Sequence, residues 1–475
     1  MNHKTKENEA IINAANALRW EIGENFHDEL MASIYKDAAD ISAQVVEKEG
    51  VKRAFNWDRT LDRILTGRWT GLPVMLLLLT FVFWFTIAGA NVPSAMLATL
   101  LVETVQPILK DGAAAIGLPW WLSGFLIDGA YLAMAWVIAV MLPPMAIFFP
   151  LFTLLEDFGY LPRVAFNLDN LFRKSGAHGK QALTMSMGYG CNAAGIVATR
   201  IIDSPRERLI AIITNNFALC NGRWPTQILV ASLFIGALAP PALGGLVSAG
   251  AVVAVVLIGV ALTFLTSWAL SKTVLKGEAS SFSLELPPYR PPRILQTLYT
   301  SLIDRTIFVL WRAILFAVPA GMAIWLVSNI MIGEISLAEH IIDFFDPFGL
   351  LIGLNGVILL AYIIAIPANE IIIPTILMLT VLSAKIAGMG EGAGVMFELG
   401  DDAAYMTVFQ AGGWTLLTAV NLMLFSLVHN PCSTTIYTIY KETGSWKWTT
   451  VSAILPVVMG LVLCFFVAQF WRLLS

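Results

Sequence analysis

The chain has 475 residues, of which 57% are hydrophobic and 13% are charged, and its formal net charge is −4. Apolar runs such as 71–90 and 249–265 are too long and too numerous for the interior of a soluble domain, because a membrane-spanning helix needs about 20 such residues. The small net charge, with no basic tract interleaved with aromatic residues, argues against nucleic acid as a partner. These properties predict an all-α, polytopic membrane protein embedded in a lipid bilayer.

The N-terminal region, residues 1–55, is predicted to form a cytoplasmic helical cap. From about Ala10 to Val46, apolar residues recur every three or four positions, which indicates one amphipathic helix or a helical hairpin. Its apolar face either covers part of this chain or a twin subunit, or docks a separate regulatory protein. Basic residues then flank the first span and place the N-terminus in the cytoplasm by the positive-inside rule. No cleavable signal peptide is recognisable, so the first span is expected to direct insertion.

Hydropathy predicts about eight crossings, with a shorter interrupted segment near 181–200 that can re-enter without crossing. The predicted spans are 71–90, 126–152, 209–238, 243–270, 306–331, 350–382, 413–438 and 449–474. Basic residues place 163–208 and the linker in the cytoplasm. Beyond residue 349 the charge signals conflict, so the side of the C-terminus stays open.

A Pro-rich linker, residues 272–305, separates two membrane halves, 56–271 and 306–475. Each half has a long span with an internal proline, then a broken apolar segment, then a cysteine beside a helix break. This plan is typical of inverted-repeat transporters, whose binding site lies between the halves near the bilayer midplane. Two inverted repeats with broken or re-entrant helices are therefore the predicted architecture.

Three of the four cysteines stand in apolar segments that Gly, Asn or Pro interrupts. The segments are Gly190-Cys191-Asn192, Cys220-Asn221-Gly222 and Asn430-Pro431-Cys432. Backbone freed from helical hydrogen bonding is tolerated at bilayer depth only where it is buried in protein or lines a cavity, so these breaks indicate an ion path. A lone buried cysteine is usually a small hydrophobe, which is our interpretation of Cys464. Three thiols at three breaks instead predict soft ligands for a transition metal.

Other polar residues in or beside the spans extend the candidate site. Ionisable residues inside spans are costly and therefore functional candidates. Glu370 can neutralise a cation or carry a counter-proton, or it can form a buried ion pair or cap a broken helix. His429 is either a fourth metal ligand or a hydrogen-bonded core histidine. Glu156 and Asp157 are either solvated at the end of a span or part of an entrance or exit. The three asparagines beside the thiols either offer amide oxygens to an ion or form hydrogen bonds with backbone groups that have no other partner. The candidate ion-path or gating residues there are Gly190, Asn192, Asn221, Asn430 and Pro431.

Several stretches carry a resemblance to a known family, in sequence order. They are Asp62-Arg63-Ile64-Leu65-Thr66, Leu155 to Arg163, Gly188-Tyr189-Gly190-Cys191-Asn192, Arg206-Glu207-Arg208-Leu209, Pro367-Ala368-Asn369-Glu370, Pro431-Cys432 and Lys441 to Trp448. Together they resemble the membrane half of the ferrous iron transport protein B (FeoB) family, over residues from about 55 to 475. The resemblance implies two gate-type repeats with Fe²⁺ as the transported substrate.

The FeoB family pairs this membrane region with a GTPase domain. This sequence has no Gly-x-x-x-x-Gly-Lys-Ser/Thr loop, so we expect a transporter that hydrolyses no nucleotide and binds no permanent cofactor. Expected partners are a separate small GTPase, a small cytoplasmic regulator or further copies of the chain. Family members usually carry Val-Pro where this chain has Ala193-Ala194, Lys where it has Asn369, and an apolar or aromatic segment where it has His429-Asn430.

The predicted function is import of Fe²⁺ across the cytoplasmic (inner) membrane. One alternative keeps the fold and changes the cargo to Mn²⁺, Zn²⁺ or a nucleoside-like solute, although thiols at three breaks argue against an organic cargo. Another alternative is a non-transporting scaffold that recruits a partner through its N-terminal helices.

Overall fold

The computed structural model describes residues 26–45, 57–67, 69–276, 289, 293–386, 392, 394–399 and 401–474. Nearly all of these residues are helical, and the strands among them are one short antiparallel pair, β1 (Met331–Ile332) and β2 (Ile335–Ser336). The predicted all-α class is confirmed.

The first half begins with two helices ahead of the first span and then alternates long and broken helices. Its α-helices are α1 (Phe26–Val45), α2 (Trp57–Leu65), α3 (Gly71–Ala98), α4 (Gln106–Ala115), α5 (Trp120–Ser123), α6 (Leu132–Asp157), α7 (Tyr160–Lys174), α8 (Gln181–Gly190), α9 (Asn192–Ala198), α10 (Pro205–Thr214), α11 (Trp224–Val230) and α12 (Pro241–Lys272). Three π-helical segments join some of these helices, at Thr99–Val105, Gly124–Tyr131 and Ala231–Ile235. Short 3₁₀ turns lie at Thr199–Ile201, Asn215–Phe217, Asn221–Arg223 and Gly236–Leu238.

The second half has the same mixture of long and broken helices. Its α-helices are α13 (Ile294–Thr300), α14 (Phe308–Asn329), α15 (Leu337–Leu351), α16 (Gly356–Ile364), α17 (Ile372–Ser383), α18 (Asp402–Ala411), α19 (Leu416–Leu427), α20 (Ser433–Thr443) and α21 (Trp446–Leu474). A π-helical segment, Ser301–Ile307, joins α13 to α14, and a 3₁₀ turn, Asn369–Ile371, precedes α17.

Among the described residues, five helical stretches are long and apolar enough to cross a membrane, or up to seven if each of two bent pairs counts as one span. The five are Pro73–Ala115, Trp120–Asp157, Leu243–Lys272, Ile294–Asn329 and Trp446–Leu474. The sequence count of about eight is higher because hydropathy treats 209–238, 350–382 and 413–438 as continuous spans. The structure divides all three, at 215–223, at 365–371 and at 428–432. Hydropathy reports side chains and does not detect a break in the backbone.

The breaks repeat between the two halves in backbone geometry. Cys191 has φ −152° and ψ 121°, and Ala368 has φ −150° and ψ 115°. Cys220 has φ −75° and ψ 167°, and Cys432 has φ −63° and ψ 159°. All four are extended residues that directly precede a helical segment. The repeat predicted from the sequence therefore extends to the conformation of the residue at each break.

Burial separates the broken helices from the long ones. In α16 and α17, residues such as Ile358 and Ile372 are almost completely buried. Along α12, by contrast, large apolar side chains such as Leu246 and Leu257 are exposed. Since apolar side chains can face hydrocarbon without cost, the long helices present a lipid-facing surface and the broken helices form the protein interior.

The N-terminal cap and the linker fall partly outside the described residues. Residues 26–45 are helical as predicted, and the apolar side chains of Leu30, Ile34 and Ile41 on this helix are exposed. Residues 10–25 of the predicted stripe, and residues 277–288 and 290–292 of the linker, lie outside the described part of the chain. The proposed domain boundaries remain predictions.

One residue of the linker, Tyr289, contacts the start of the membrane region. Its hydroxyl donates a hydrogen bond to Asp62, 2.8 Å away, and Asp62 also pairs with Arg163 at 3.0 Å. The Arg163 guanidinium lies 4.1 Å from the centre of the Tyr289 ring. Burial and the hydrogen bond to Asp62 raise the pKa of Tyr289 to about 12. Two of the family-like stretches, around Asp62 and Arg163, therefore meet in one contact.

An ion cluster joins the first half to the last helices of the second. Glu442 at the end of α20 is 3% exposed and accepts hydrogen bonds from Arg200 at 2.6 Å and from Arg208 at 2.8 Å. Arg200 binds both carboxylate oxygens. Bidentate, charge-assisted pairs of this kind are among the stronger hydrogen bonds in proteins.

The Glu442→Gln variant tests whether this cluster holds the two halves together. It should lower the free energy of unfolding by about 1–3 kcal/mol, because it leaves two arginines without their shared carboxylate. Thermal unfolding of the purified protein in detergent measures the change. The matched control is Asp203→Asn, which breaks the Lys180–Asp203 pair whose carboxylate is 84% exposed. That control should cost less than about 1 kcal/mol, and equal effects of the two variants would contradict the assignment.

Candidate ion-permeation site

The break at Cys191 lies against an aromatic layer on α6. Gly190 ends α8 and Cys191 directly precedes α9. A Cβ atom at Gly190 would overlap the ring of Phe148, which stacks on Phe152 with ring centres 5.4 Å apart. Glycine at position 190 therefore allows the chain to approach α6 closely enough to bring the Cys191 thiol against this layer.

Arg223 occupies the space between the breaks at Cys220 and Cys432. Its side chain is completely buried. Its guanidinium donates to the carbonyl oxygens of Asn216 and Leu427, both at 3.0 Å, and more weakly to those of His429 and Asn430, at 3.5 and 3.4 Å. These carbonyls belong to segments that have left the helical hydrogen-bond pattern. One buried cation thus satisfies four backbone acceptors from both halves.

Glu370 lies beside the same break. A Cβ atom at Gly222 would collide with the Glu370 carboxylate, so the two residues are in close contact. The Glu370 carboxylate is also within electrostatic range of Arg223. The predicted carboxylate is therefore under the influence of a buried positive charge.

Further hydrogen bonds connect the four breaks to each other. Asn215 donates to the carbonyl of Asn192 at 2.9 Å, which ties the Cys191 break to the Cys220 break. The backbone N–H of Ser433, beside Cys432, donates to the carbonyl of Ile366 at 3.0 Å. The broken segments of both halves therefore form one connected polar interior.

The three thiols converge on this interior without forming a complete metal site. Cys191 is within electrostatic range of Cys220 and Cys432, and Cys220 and Cys432 both interact with Glu370. Among the described residues, no group of three His, Cys, Asp or Glu side chains is arranged to hold a metal ion.

His429 and Asn369 lie at the same junction. His429 Nε2 is 3.1 Å from Asn369 Oδ1, and Asn369 Nδ2 is 3.8 Å from the Cys220 sulfur. The Cys432 thiol is 3.2 Å from the hydroxyl of Thr435. Two of the positions at which the sequence departs from the FeoB pattern, 369 and 429, are thus in direct contact with each other.

The three asparagines of the predicted ion path have different surroundings. The hydrogen-bond network assigns the Asn192 amide nitrogen to the side of the Gly188 and Ala218 carbonyls, 2.9 and 3.2 Å away, which favours its structural interpretation. Asn430 donates to Pro431 at 3.4 Å. Asn221 is half-buried at the start of its 3₁₀ turn.

Glu156 and Asp157 lie away from the thiols. Both are exposed at the end of α6, about 12 Å along the helix axis from Phe148. Asp157 accepts a hydrogen bond from Thr297 at 2.7 Å. Their position agrees with the interfacial interpretation.

Sequence reasoning missed Arg223 although a signal was present. The rule that ionisable residues inside apolar segments are functional candidates was applied to Glu370 and not to the arginine three positions after Cys220. Asn369 was noted as a departure from the family pattern but was not placed in the site. No sequence signal identifies Phe148, whose role depends on the close approach of Gly190.

Two family models match the chain. One, described as "Gate: Nucleoside recognition", matches residues 138–234 and 310–446, and the other, "Ferrous iron transport protein B C terminus", matches residues 252–304. These matches include the segments that carry Cys191, Cys220 and Cys432. No solved structure matches the chain.

Curated relatives are similar over most of the chain. The "Fe(2+) transporter FeoB" of Staphylococcus aureus strain MSSA476 is 30% identical over 421 residues, covering 87% of this chain and 59% of the relative. The protein of the same name from Synechocystis is 30% identical, covering 86% and 63%. A "Fe(2+) transport protein A/Fe(2+) transporter FeoB fusion protein" of Porphyromonas gingivalis is 25% identical, covering 88% and 53%. The chain thus spans less than two thirds of each of these relatives.

Replacing Arg223 by Met tests its role in the interior. The variant removes the donor to four buried carbonyls, each of which costs about 1–3 kcal/mol when left unsatisfied. The free energy of unfolding should therefore fall by several kcal/mol, measured by thermal unfolding in detergent. The control is Arg312→Met, which removes a half-buried arginine near the Tyr437 ring. Unfolding of Arg223→Met at the temperature of the unmodified protein would contradict this role.

Proposed function

The chain belongs to the FeoB family of ferrous iron transporters, and on that premise we propose that it is a permease that imports Fe²⁺. It is a multi-pass membrane protein, and its transport activity is proposed to reside in the connected broken segments. The observation that carries the proposal is the convergence of Cys191, Cys220 and Cys432, each at a helix break, on one polar interior.

The chemistry of the donors fits a transition metal. Fe²⁺ accepts thiolate, imidazole and carboxylate ligands, and the interior offers the three thiols, His429 and Glu370. A permeating ion must also leave, so we propose transient, partial coordination in which water or backbone carbonyls complete the shell. Glu370 reduces the cost of a dication at this depth, while Arg223 holds the surrounding carbonyls.

The membrane potential supplies enough driving force for import. Each elementary charge that crosses 100 mV gains about 2.3 kcal/mol, so a dication gains about 4.6 kcal/mol. We therefore propose that this chain carries Fe²⁺ without hydrolysing nucleotide and without a resident cofactor. Glu370 is the candidate for a coupled proton.

Orientation and partners belong to the same proposal. We propose that the protein lies in the inner membrane with its N-terminus in the cytoplasm, and the basic residues ahead of the first span support this orientation. A small cytoplasmic partner is supported by the name of the Porphyromonas gingivalis relative, which joins a transport protein A to FeoB. A separate small GTPase and self-association are further proposals.

A second candidate cargo follows from the description of the gate family model. That description names nucleoside recognition, so a nucleoside-like solute is the alternative to a metal. The three thiols favour the metal, because an organic solute has no need of soft ligands at the breaks. Excess nucleoside in an Fe²⁺ flux assay should leave the flux unchanged if the metal is the cargo.

Serine replacement of Cys191, Cys220 and Cys432 together tests the proposed function. Fe²⁺ flux into proteoliposomes, measured under reducing conditions with an inside-negative potential, should fall to the rate of empty vesicles. The matched control is Cys464→Ser, because Cys464 is buried in α21 and donates to the carbonyl of Asn421 away from the breaks. The control should keep its flux, and flux through the triple variant would exclude the thiols as ligands.

Gly222→Ala tests the contribution of Glu370 without removing its charge. The added methyl group must displace the Glu370 carboxylate, so Fe²⁺ flux should fall to the level of Glu370→Gln. The combined variant should lose no more than either single variant, because both act on one interaction. Gly250→Ala in α12 is the control, since its Cβ atom meets nothing within 4 Å. Additive losses would separate Gly222 from Glu370.

A further inference from the structure

The Asn369 side chain lies between two candidate metal ligands that come from different broken segments. Asn369 is 4% exposed and His429 is 1% exposed. The amide reaches His429 Nε2 at 3.1 Å on one side and the Cys220 sulfur at 3.8 Å on the other. Asn369 is thus the contact that joins the imidazole to the thiol.

The other ring nitrogen of His429 is held by the backbone. Nδ1 is 2.9 Å from the carbonyl oxygen of Ser426, and a carbonyl can only accept, so Nδ1 carries a hydrogen. Nε2 is therefore the ring nitrogen that remains to contact the Asn369 amide.

The Asn369 amide contacts both groups at once. Its nitrogen donates to the Cys220 sulfur, and its other end meets the His429 ring. A single side chain therefore sets the positions of the imidazole and the thiol relative to each other.

We propose that Asn369 is a specificity-determining residue of the proposed Fe²⁺ path, whose amide holds the His429 nitrogen and the Cys220 sulfur ready as a joint ligand pair. A metal bound by both atoms needs them within about 4.4 Å of each other, from metal distances of about 2.1 and 2.3 Å. The intervening amide must therefore swing aside as the ion binds. The thiol releases its proton to water when the metal–sulfur bond forms, and the amide oxygen is free to become a further ligand.

The His429 imidazole and the Cys220 thiolate favour some metal ions over others by ligand type. Imidazole with thiolate suits borderline divalent metals such as Fe²⁺ and Co²⁺, whereas Mn²⁺ prefers oxygen ligands. Loss of a hydrogen-bond partner that orients metal ligands typically weakens metal affinity about 10–100-fold. Removing the Asn369 amide should therefore reduce Fe²⁺ flux far more than Mn²⁺ flux.

The test compares Fe²⁺ and Mn²⁺ flux through the full chain in reduced proteoliposomes. Asn369→Leu keeps the volume but removes both hydrogen bonds, and it should lower the ratio of Fe²⁺ to Mn²⁺ flux at least tenfold. His429→Gln should lower the ratio equally, and the double variant should lower it no further. If Asn369→Leu does not fold, His429→Gln carries the same test.

The control is Asn421→Leu, which removes a second buried asparagine that lies beside the packing cysteine. Asn421 donates to the carbonyls of Ile352 at 2.7 Å and Cys464 at 3.2 Å. This variant should lower stability and leave the flux ratio unchanged.

The inference rests on the proposed function, and a different experimental result would contradict each of them. Absence of Fe²⁺ flux in the unmodified protein would overturn the proposed function. Fe²⁺ flux that depends on the three cysteines, together with an unchanged ratio in Asn369→Leu or His429→Gln, would overturn only the role of Asn369.

Discussion

The Arg223 guanidinium is the interaction on which the interior depends. A chain that leaves helical geometry at bilayer depth exposes carbonyl groups that lipid cannot satisfy. Arg223 donates to carbonyls of the break in its own half and of the break that carries Cys432 in the other. A hydrophobic residue could fill the same volume but could not satisfy those carbonyls. The breaks at Cys220 and Cys432 are stable because this cation compensates for the lost helical hydrogen bonds.

The same arrangement explains how the protein can hold ligands close together without a rigid metal site. The four breaks are linked by single hydrogen bonds, such as those from Asn215 and Ser433, that can be exchanged at small cost. The surrounding long helices are continuous, and the Glu442 cluster fixes the halves to each other at a distance from the thiols. Movement is therefore expected in the short segments between the long helices, along which the proposed ion path runs.

Much of this fold could be predicted from the sequence because its signals are local. The length of the apolar runs predicted the long helices. Gly, Asn and Pro residues next to Cys191, Cys220 and Cys432 predicted that the helices are broken there. The number of crossings could not be predicted in this way, because hydropathy does not detect backbone breaks such as those at 215–223 and 365–371.

Contacts between distant parts of the chain were likewise beyond the sequence. The hydrogen bond between Asn369 and His429 joins residues 60 positions apart, and the overlap of Phe148 with position 190 depends on how two helices pack. Each of these residue types is also compatible with an ordinary core position. Their relation to the site therefore appears only once the fold brings them together.

The central claim is that the three thiols at the breaks are ligands of the transported ion. Iron X-ray absorption spectroscopy of the reduced, purified protein loaded with Fe²⁺ tests it most directly. The account predicts sulfur scatterers at about 2.3 Å that vanish when Cys191, Cys220 and Cys432 are replaced by serine and persist when Cys464 is replaced. Iron surrounded only by oxygen and nitrogen in the unmodified protein would contradict it.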